Sequence, residues 1–140
     1  MSLCYKYRGQ NYYLLTEYQK AIDDYTKSIE LSPDYASYYY HRGEAHLKLG
    51  KYEEAIIDCT KAIALEKNNF KNIISYKIRS HAYYALKQYQ AAISDYAEVI
   101  NFSNSIITWT KELPKHYKKK GGIYNKLEQY IETLNDMKKA

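Results

Sequence analysis

Small and large apolar side chains recur along this chain at intervals of three and four residues. Near the start, Gly9 is followed three residues later by Tyr12, nine residues later by Tyr18 and twelve residues later by Ala21. Side chains spaced in this way lie on one face of an α-helix, so each run predicts a helix with one buried face. With only two prolines and five glycines, the chain permits long helices. The pattern therefore predicts an all-α protein.

The same pattern returns at a regular interval. Residues 5–33 and 39–67 superpose without a gap at a period of 34, residues 76–104 form a third copy, and residues 117–140 form an incomplete fourth copy. The column of small residues is Gly9, Gly43, Ser80 and Gly121. A period of this length indicates stacked helical hairpins, because one hairpin alone cannot bury its apolar face.

The repeats predict eight helices paired as antiparallel hairpins. We expect them at roughly 2–15, 18–31, 36–49, 52–66, 71–86, 89–102, 113–126 and 127–140. Asp34 and Ser37 are candidate caps for the third helix. Two intervals exceed the period and predict insertions near 70–72 and 107–113. The second insertion contains Trp109, either as a plug packed over the irregular junction or as an exposed anchor for a partner.

These columns resemble the tetratricopeptide repeat, with tyrosine in that family's usual tryptophan column and arginine or lysine in its usual leucine column. The resemblance covers nearly the whole chain and implies a right-handed α-solenoid of antiparallel helix hairpins. It implies a single array over residues 1–140, with repeats at about 2–35, 36–69, 73–106 and a truncated 114–140. No polar capping helix is predicted before Ala140, so we expect either a piece of a longer protein or a last face used in self-association.

Tyrosine and lysine give the predicted helices an unusual surface. The chain has 19 tyrosines against two phenylalanines and one tryptophan, and a buried tyrosine ring keeps a hydroxyl that needs a partner or water. The formal net charge is +5. Residues 107–140 hold eight basic and four acidic side chains, a net of +4, so most of the excess is C-terminal.

The sequence contains no pattern typical of catalysis, cofactor binding or metal binding. Cys4 and Cys59 have neither metal-ligand nor redox spacing, and the histidines form no close ligand pair. The adjacent Asp23 and Asp24 are interpreted as solvated charge. No signal peptide is visible, and no run of about 18 apolar residues predicts a membrane span. We therefore expect no enzyme activity, no cofactor, no metal and no membrane insertion, with free thiols in the reducing cytoplasm.

In tetratricopeptide stacks the first helix of each hairpin lines the concave surface, and the family's ligands usually lie there. The resemblance therefore implies a groove whose positions are counted from the small-residue column. The groove residues selected in this way are Lys6, Tyr7, Gln10, Tyr13, Tyr40, His41, Glu44, Lys77, His81, Tyr84, Lys115, Lys118 and Lys119. The set is rich in tyrosine and lysine, and Glu44 is its one acid. It favours a peptide ligand with negative charge.

One subclass of the family grips the C-terminal carboxylates of heat-shock chaperones with a set of Lys, Asn and Arg residues. Lys6 matches the first of these positions. Gln10 and His41 stand where asparagines are expected, and Ile74 and Ile78 stand in place of the final Lys and Arg. If the set is aligned one repeat later, Lys115 and Lys119 match its final Lys and Arg. Tyr40 and Glu44 then stand at positions of its first half and do not match it. Binding of chaperone tails is therefore not supported by the sequence.

Three functions remain open at this stage. The leading hypothesis is a protein–protein interaction adaptor that binds a peptide, with acidic character, in the tyrosine- and lysine-lined groove. The first alternative is a module that self-associates through its exposed terminal hairpin. The second is nucleic-acid binding through the basic segment at Lys115, Lys118, Lys119 and Lys120, although the signature residues of helical-repeat RNA readers are absent.

Overall fold

A computed structural model describes residues 1–68, 71–110 and 122–139, and the side chains within these ranges except those of residues 105–110 and 122–128. In these ranges the chain forms α-helices and no strand. The helices are α1 (Ser2–Leu14), α2 (Tyr18–Leu31), α3 (Ala36–Lys48), α4 (Tyr52–Leu65), α5 (Ile73–Ala85), α6 (Tyr89–Thr110) and α7 (Gly122–Lys139). Successive helices pack against each other, and α3 also contacts α1 and α5. The all-α prediction is confirmed.

Each of the first three hairpins turns in the same way. Thr16, Gly50 and Lys87 have φ angles of 60°, 75° and 62° at equivalent places after α1, α3 and α5. The following amide N–H groups, of Glu17 and Lys51 for example, donate to the carbonyls of Tyr12 and His46 at 2.9 Å. This bonding satisfies carbonyls that the helix end leaves free, and the left-handed residue that it requires is usually glycine. Two of the three turns form without one.

The small-residue column marks the place where the two helices of a hairpin touch. A Cβ atom on Gly9 would lie 2.9 Å from Cε1 of Tyr25, and one on Gly43 would lie 3.0 Å from Sγ of Cys59. In the third hairpin the column holds Ser80, which is fully buried and whose hydroxyl donates to the carbonyl of Lys77 at 2.7 Å. Glycine and serine therefore set the close approach on which the packing of each hairpin depends.

A bidentate ion pair joins the two helices of each hairpin. The pairs are Arg8–Asp24, Arg42–Asp58 and Arg79–Asp95, with N···O distances between 2.7 and 2.9 Å. The three carboxylates are buried. The arginines of the second and third hairpins also donate to Thr26 and Thr60 of the preceding hairpin, at 3.2 and 3.0 Å. The pairs thus stabilise each hairpin and link it to its neighbour.

The interpretation of Asp23 and Asp24 as solvated charge is wrong for one of the two. Asp23 is exposed and accepts a hydrogen bond from Gln19 at 3.1 Å, as a surface residue would. Asp24 is 5% exposed and bound by Arg8. The two carboxylates are adjacent in sequence, so they point to different faces of α2, and only the one turned toward α1 meets a guanidinium.

The predicted caps of α3 are also wrong. The residue that precedes the helix is Tyr35, and no side chain accepts a hydrogen bond from the first turn. Asp34 and Ser37 each lie at least one residue from the capping position, where their oxygens do not reach the free amides.

The C-terminal helices differ from the predicted ones. Helix α6 continues to Thr110 instead of ending near residue 102, and α7 runs unbroken through the predicted boundary between residues 126 and 127. Neither stretch contains an internal glycine or proline that would end a helix. Residues 107–110 of the second predicted insertion are therefore helical. Residues 111–121 lie outside the described part of the chain, and so does the side chain of Trp109.

Helix α7 takes the place that the first helix of a further hairpin would occupy. The ring of Tyr130 lies 5.8 Å from that of Tyr96, which is the repeat equivalent of Tyr25. In the preceding repeats His41 makes the corresponding contact with Tyr25, at 5.7 Å. The predicted helix at 127–140 would put Tyr130 near the start of the second helix of a hairpin, nine residues after Gly121 as Tyr18 is after Gly9. Its contact with Tyr96 is instead that of a residue on a first helix.

The described part of α7 has one buried and one exposed face. Tyr130, Leu134 and Met137 pack against the cluster of Ala92 and Ile100 in α6. The opposite face carries Glu132, Asn135, Asp136, Lys138 and Lys139, all exposed. The described part of α7 thus packs on α6 and turns a mostly polar face outward, with Ile131 as an exposed apolar residue on it. This differs from the expectation that no polar capping helix is present.

Removal of Asp58 should destabilise the fold more than removal of Asp24. The Asp58→Ala substitution strands an Arg42 side chain that is 22% exposed, at a cost of about 3–5 kcal/mol. The Asp24→Ala substitution frees Arg8, which is 59% exposed and can be hydrated, so its cost should be smaller. Urea denaturation followed by circular dichroism measures both, with Asp23→Ala as the surface control. Equal losses at Asp58 and Asp23 would contradict the role of the pair.

Substitution by glycine should have opposite effects on stability at two exposed lysines, Lys87 and Lys61. Lys87→Gly removes a left-handed backbone strain and is expected to stabilise the protein by about 0.5–1 kcal/mol. Lys61→Gly, inside α4, is expected to destabilise it by about 1 kcal/mol. Thermal denaturation of the two variants provides the comparison, and a loss of stability in both would refute the strain at Lys87.

Candidate functional site

The first helices of the hairpins, α1, α3 and α5, carry ten of the thirteen residues selected for the groove. Tyr7 and Tyr84 are exposed, at 56% and 37%. The remaining eight are partly exposed: Lys6, Gln10, Tyr13, Tyr40, His41, Glu44, Lys77 and His81. Lys115, Lys118 and Lys119 lie outside the described residues. The ten described side chains are therefore accessible to a ligand to some degree.

The structure brings the selected residues of α1 and α3 into one cluster. Nε2 of Gln10 lies 3.3 Å from Nε2 of His41, within hydrogen-bond distance. The ring of His41 lies 4.5 Å from that of Tyr40 and is stacked on that of Tyr25 at 5.7 Å. Burial and the nearby Lys6 ammonium lower the pKa of His41 to about 4. The imidazole is therefore neutral at pH 7 and acts as a flat polar surface.

Glu44 is surrounded by tyrosines at the centre of this cluster. Burial raises the pKa of Tyr13, and so does Glu44, through its charge and a hydrogen bond with the hydroxyl. Burial and the same carboxylate also raise the pKa values of Tyr25 and Tyr40. The Tyr13 hydroxyl thus donates to the Glu44 carboxylate, and such a bond orients a carboxylate without cancelling its charge.

The α5 side of the groove is also less basic than its sequence indicates. Burial lowers the pKa of His81, and the ammonium groups of Lys77 and Lys48 lower it further. Nζ of Lys77 lies 5.3 Å from the ring centre of Tyr130 on α7, in a cation–π contact. Positive charge at neutral pH therefore comes from the lysines of the described groove and not from its histidines.

Two of the groove tyrosines also hold their hairpins together. The rings of Tyr13 and Tyr18 meet edge to face at 5.3 Å, and those of Tyr84 and Tyr89 meet at the same distance and angle. Each pair joins the end of a first helix to the start of a second. These tyrosines serve the fold as well as the surface, so their presence alone is weaker support for a ligand than the sequence indicated.

The final two positions of the chaperone-tail set carry no charge. Ile78 is 5% exposed and belongs to the core, while Ile74 is 47% exposed at the start of α5. Neither isoleucine can donate a hydrogen bond to a carboxylate. The register that begins with Lys6 therefore lacks the second half of that set in the structure as well.

A cavity that the sequence did not reveal opens between the N-terminal ends of α3 and α5. Its volume is about 480 Å³, and its walls include Tyr35, Ser37, Tyr40, Lys71 and Ile74. The connection before α5, residues 66–72, is three residues longer than the connection before α3, residues 32–35. The three-residue excess in the repeat period was the available signal, but sequence alone could not show that it would enclose a space.

Other kinds of site find little support in the described part of the chain. No group of three or more His, Cys, Asp or Glu side chains there could hold a metal ion. Cys4 is exposed and Cys59 buried, both as free thiols, and burial raises the pKa of Cys59.

None of the helices among the described residues combines the length and the apolar character needed to cross a membrane.

The neutral His41 makes stability depend on pH. Its pKa is about 4 in the folded protein and 6.5 ordinarily, so between these values the unfolded chain binds protons that the folded chain does not. Stability should be full above about pH 6.5 and decline as the pH falls toward 4. Urea titrations at several pH values should give a steeper decline for the wild type than for His41→Gln. Identical slopes would show that His41 titrates normally.

Comparison with known proteins agrees with this geometry. The family model described as TPR repeat matches residues 9–50, and models described as tetratricopeptide repeat match residues 36–69 and 75–105. None of the curated proteins has a significantly similar sequence. Among solved structures, the Arabidopsis OM64 TPR domain is 33% identical over 72% of this chain and 81% of that chain, with a TM-score of 0.69.

Two further solved structures contain peptides. The second TPR of Spaghetti (RPAP3), bound to the HSP90 peptide SRMEEVD, is 31% identical over 72% of this chain and 91% of that chain, with a TM-score of 0.68. The second TPR domain of human RPAP3, in complex with the HSP70 peptide SGPTIEEVD, is 26% identical over 99% and 96%, with a TM-score of 0.74. The likeness confirms the predicted solenoid. With three repeats matched in three hairpins, the chain belongs to the tetratricopeptide repeat family.

Proposed function

We propose that this protein is an interaction adaptor that binds an extended peptide with acidic character in the groove formed by α1, α3 and α5. The coarser part of this statement, a module for binding protein segments, agrees with the relatives that hold peptides in their solved structures. Both of those peptides end in EEVD and are acidic. The finer part, the acidic preference of this groove, depends on its own charges.

The observation that carries the proposal is the placement of the groove's charges. The Lys6 ammonium on α1 acts on His41 of α3, and Lys48 of α3 acts together with Lys77 of α5 on His81. The lysines therefore project their fields across the gaps between first helices, where a peptide would lie. The opposing carboxylate, Glu44, is the one acid among the described residues selected for the groove. A ligand in this groove therefore meets more positive than negative charge.

The proposed ligand is recognised through acidic side chains and not through its terminal carboxylate. A carboxylate at a chain end needs converging donors, and the two places where the related set has Lys and Arg hold Ile74 and Ile78. An acidic segment inside a partner chain would fit the scattered lysines equally well.

The two alternatives receive no comparable support. The lysines required for nucleic-acid binding lie outside the described residues, and the described face of α7 that points away from α6 is mostly polar.

Reversal of charge in the groove should reverse ligand preference. Bead-displayed heptapeptides in acidic, neutral and basic sets, identical at their apolar positions, serve as probes. The wild type should retain the acidic set about tenfold better than the basic set, and the Lys6→Glu, Lys77→Glu double variant should lose this preference.

The matched control is the Lys27→Glu, Lys61→Glu double variant. Its charge change is the same, but it lies on exposed positions of the second helices α2 and α4. It should bind like the wild type. If both double variants lost the acidic preference equally, only net charge would matter and the groove proposal would fail. A wild type that retained the three sets equally would refute it directly.

A further inference from the structure

We propose that the cavity between the N-terminal ends of α3 and α5 is a side-chain pocket that takes one large apolar residue of the bound peptide. The inference rests on the proposed function, since it assumes that a peptide lies in the groove. It adds a second determinant to the acidic preference and states the kind of sequence that the partner must carry.

The walls of the pocket suit an apolar side chain. Tyr35 and Ile74 are large apolar residues that are 59% and 47% exposed, and they border the same space together with Tyr40. Exposed aromatic and aliphatic groups around a concavity gain free energy when a ligand removes them from water. The volume of about 480 Å³ lies within the range of about 300–1,000 Å³ that is typical of ligand pockets, with room for the largest side chains.

The charge of the pocket favours an uncharged occupant. Glu66 and Lys71 both contribute to its lining, one acid and one base. The Glu66 carboxylate also accepts a hydrogen bond from the backbone N–H of Asn68 at 2.9 Å. A charged side chain would meet one attractive and one repulsive partner and would lose its hydration. An apolar side chain loses nothing of this kind.

Two described residues of the pocket wall, Glu66 and Asn72, are joined by a hydrogen bond. Asn72 is 4% exposed, and its Nδ2 donates to the carbonyl of Glu66 at 3.0 Å. This bond ties the start of α5 to the residue that follows α4. On the opposite wall, Tyr35 packs on Tyr38 with ring centres 5.3 Å apart. Pre-organised walls reduce the ordering cost that binding would otherwise carry.

The pocket is continuous with the groove. Tyr40 lines the cavity and also contacts His41, which reaches Gln10 on α1. A peptide that runs across the first helices would therefore pass the pocket mouth, and one of its side chains could enter while acidic neighbours stay near the lysines. The expected ligand is an acidic segment with a Leu, Met or Phe at one position.

The experiment uses labelled acidic heptapeptides that carry Leu, Phe or Ala at one position, with binding measured by fluorescence anisotropy. The wild type should bind the Leu or Phe peptide about tenfold or more tightly than the Ala peptide. Ser37→Trp fills the cavity, and Ile74→Ser removes an apolar wall. Both variants should lose the Leu-over-Ala ratio and keep the acidic-over-basic preference. Ile57→Ser, at a 66% exposed isoleucine of α4, is the matched control and should bind like the wild type.

The outcomes separate this inference from the function on which it rests. Acidic preference with equal binding of Leu, Phe and Ala peptides at every position would overturn the pocket alone. Absence of both preferences would overturn the groove and the pocket together. Peptides with an amidated C-terminus test whether the cavity instead holds the terminal carboxylate of the peptide. If amidation weakened binding more than the Leu-to-Ala change, the cavity would hold a carboxylate at Lys71, and the inference would be overturned.

Discussion

A buried carboxylate in each hairpin must meet a guanidinium, and much of the remaining architecture follows from this requirement. Asp58 is 3% exposed, so it is stable as an anion only when Arg42 neutralises it through two hydrogen bonds. The arginine immediately precedes the glycine at which the helices touch. Its pairing therefore fixes the rotation of the first helix, and the face turned away from the pair carries the residues selected for the groove. The same arginine reaches Thr26, which sets one hairpin against the next.

Tyrosines of the repeat columns also flank the arginines of these ion pairs. The guanidinium of Arg79 lies 5.4 Å from the ring centre of Tyr76 and 5.9 Å from that of Tyr83, and Arg8 is placed similarly between Tyr5 and Tyr12. Rings on both sides shield the ion pair and contribute cation–π attraction. The second hairpin has His46 in one of these columns. One of its ring nitrogens is buried without a hydrogen bond, and the other lies 3.6 Å from Asp58.

The sequence predicted the first five helices to within about two residues, because their columns of small and aromatic side chains are constrained by contact. It failed from the end of α6 onward, where α6 runs past its predicted end and, in α7, a tyrosine fits more than one column. Tyr130 suits the start of a second helix by spacing, but its place on Tyr96 depends on how α7 docks. Asp24 shows the same limit, since a carboxylate beside Asp23 looks solvated until the opposite helix supplies its partner.

The exposure of the residues selected for the groove could be predicted from the sequence, but their charge could not. Helical periodicity shows which side chains share a face, and ten of the thirteen selected residues are at least partly exposed in the structure. Protonation depends on burial and on neighbours from other helices, so the neutral state of His41 required coordinates. The pocket also required coordinates, because a three-residue excess over the repeat period does not show by itself whether a cavity forms.

Alkylation of Cys59 can report local opening of the second hairpin. Its sulfur is fully buried against the backbone of Gly43, and burial raises its thiol pKa, so thiol reagents cannot reach a reactive thiolate while the second hairpin is closed. Cys4 is exposed and would react at once. The slow phase of alkylation would therefore time the opening of the central repeat, and any ligand that ties the hairpins together would lengthen it.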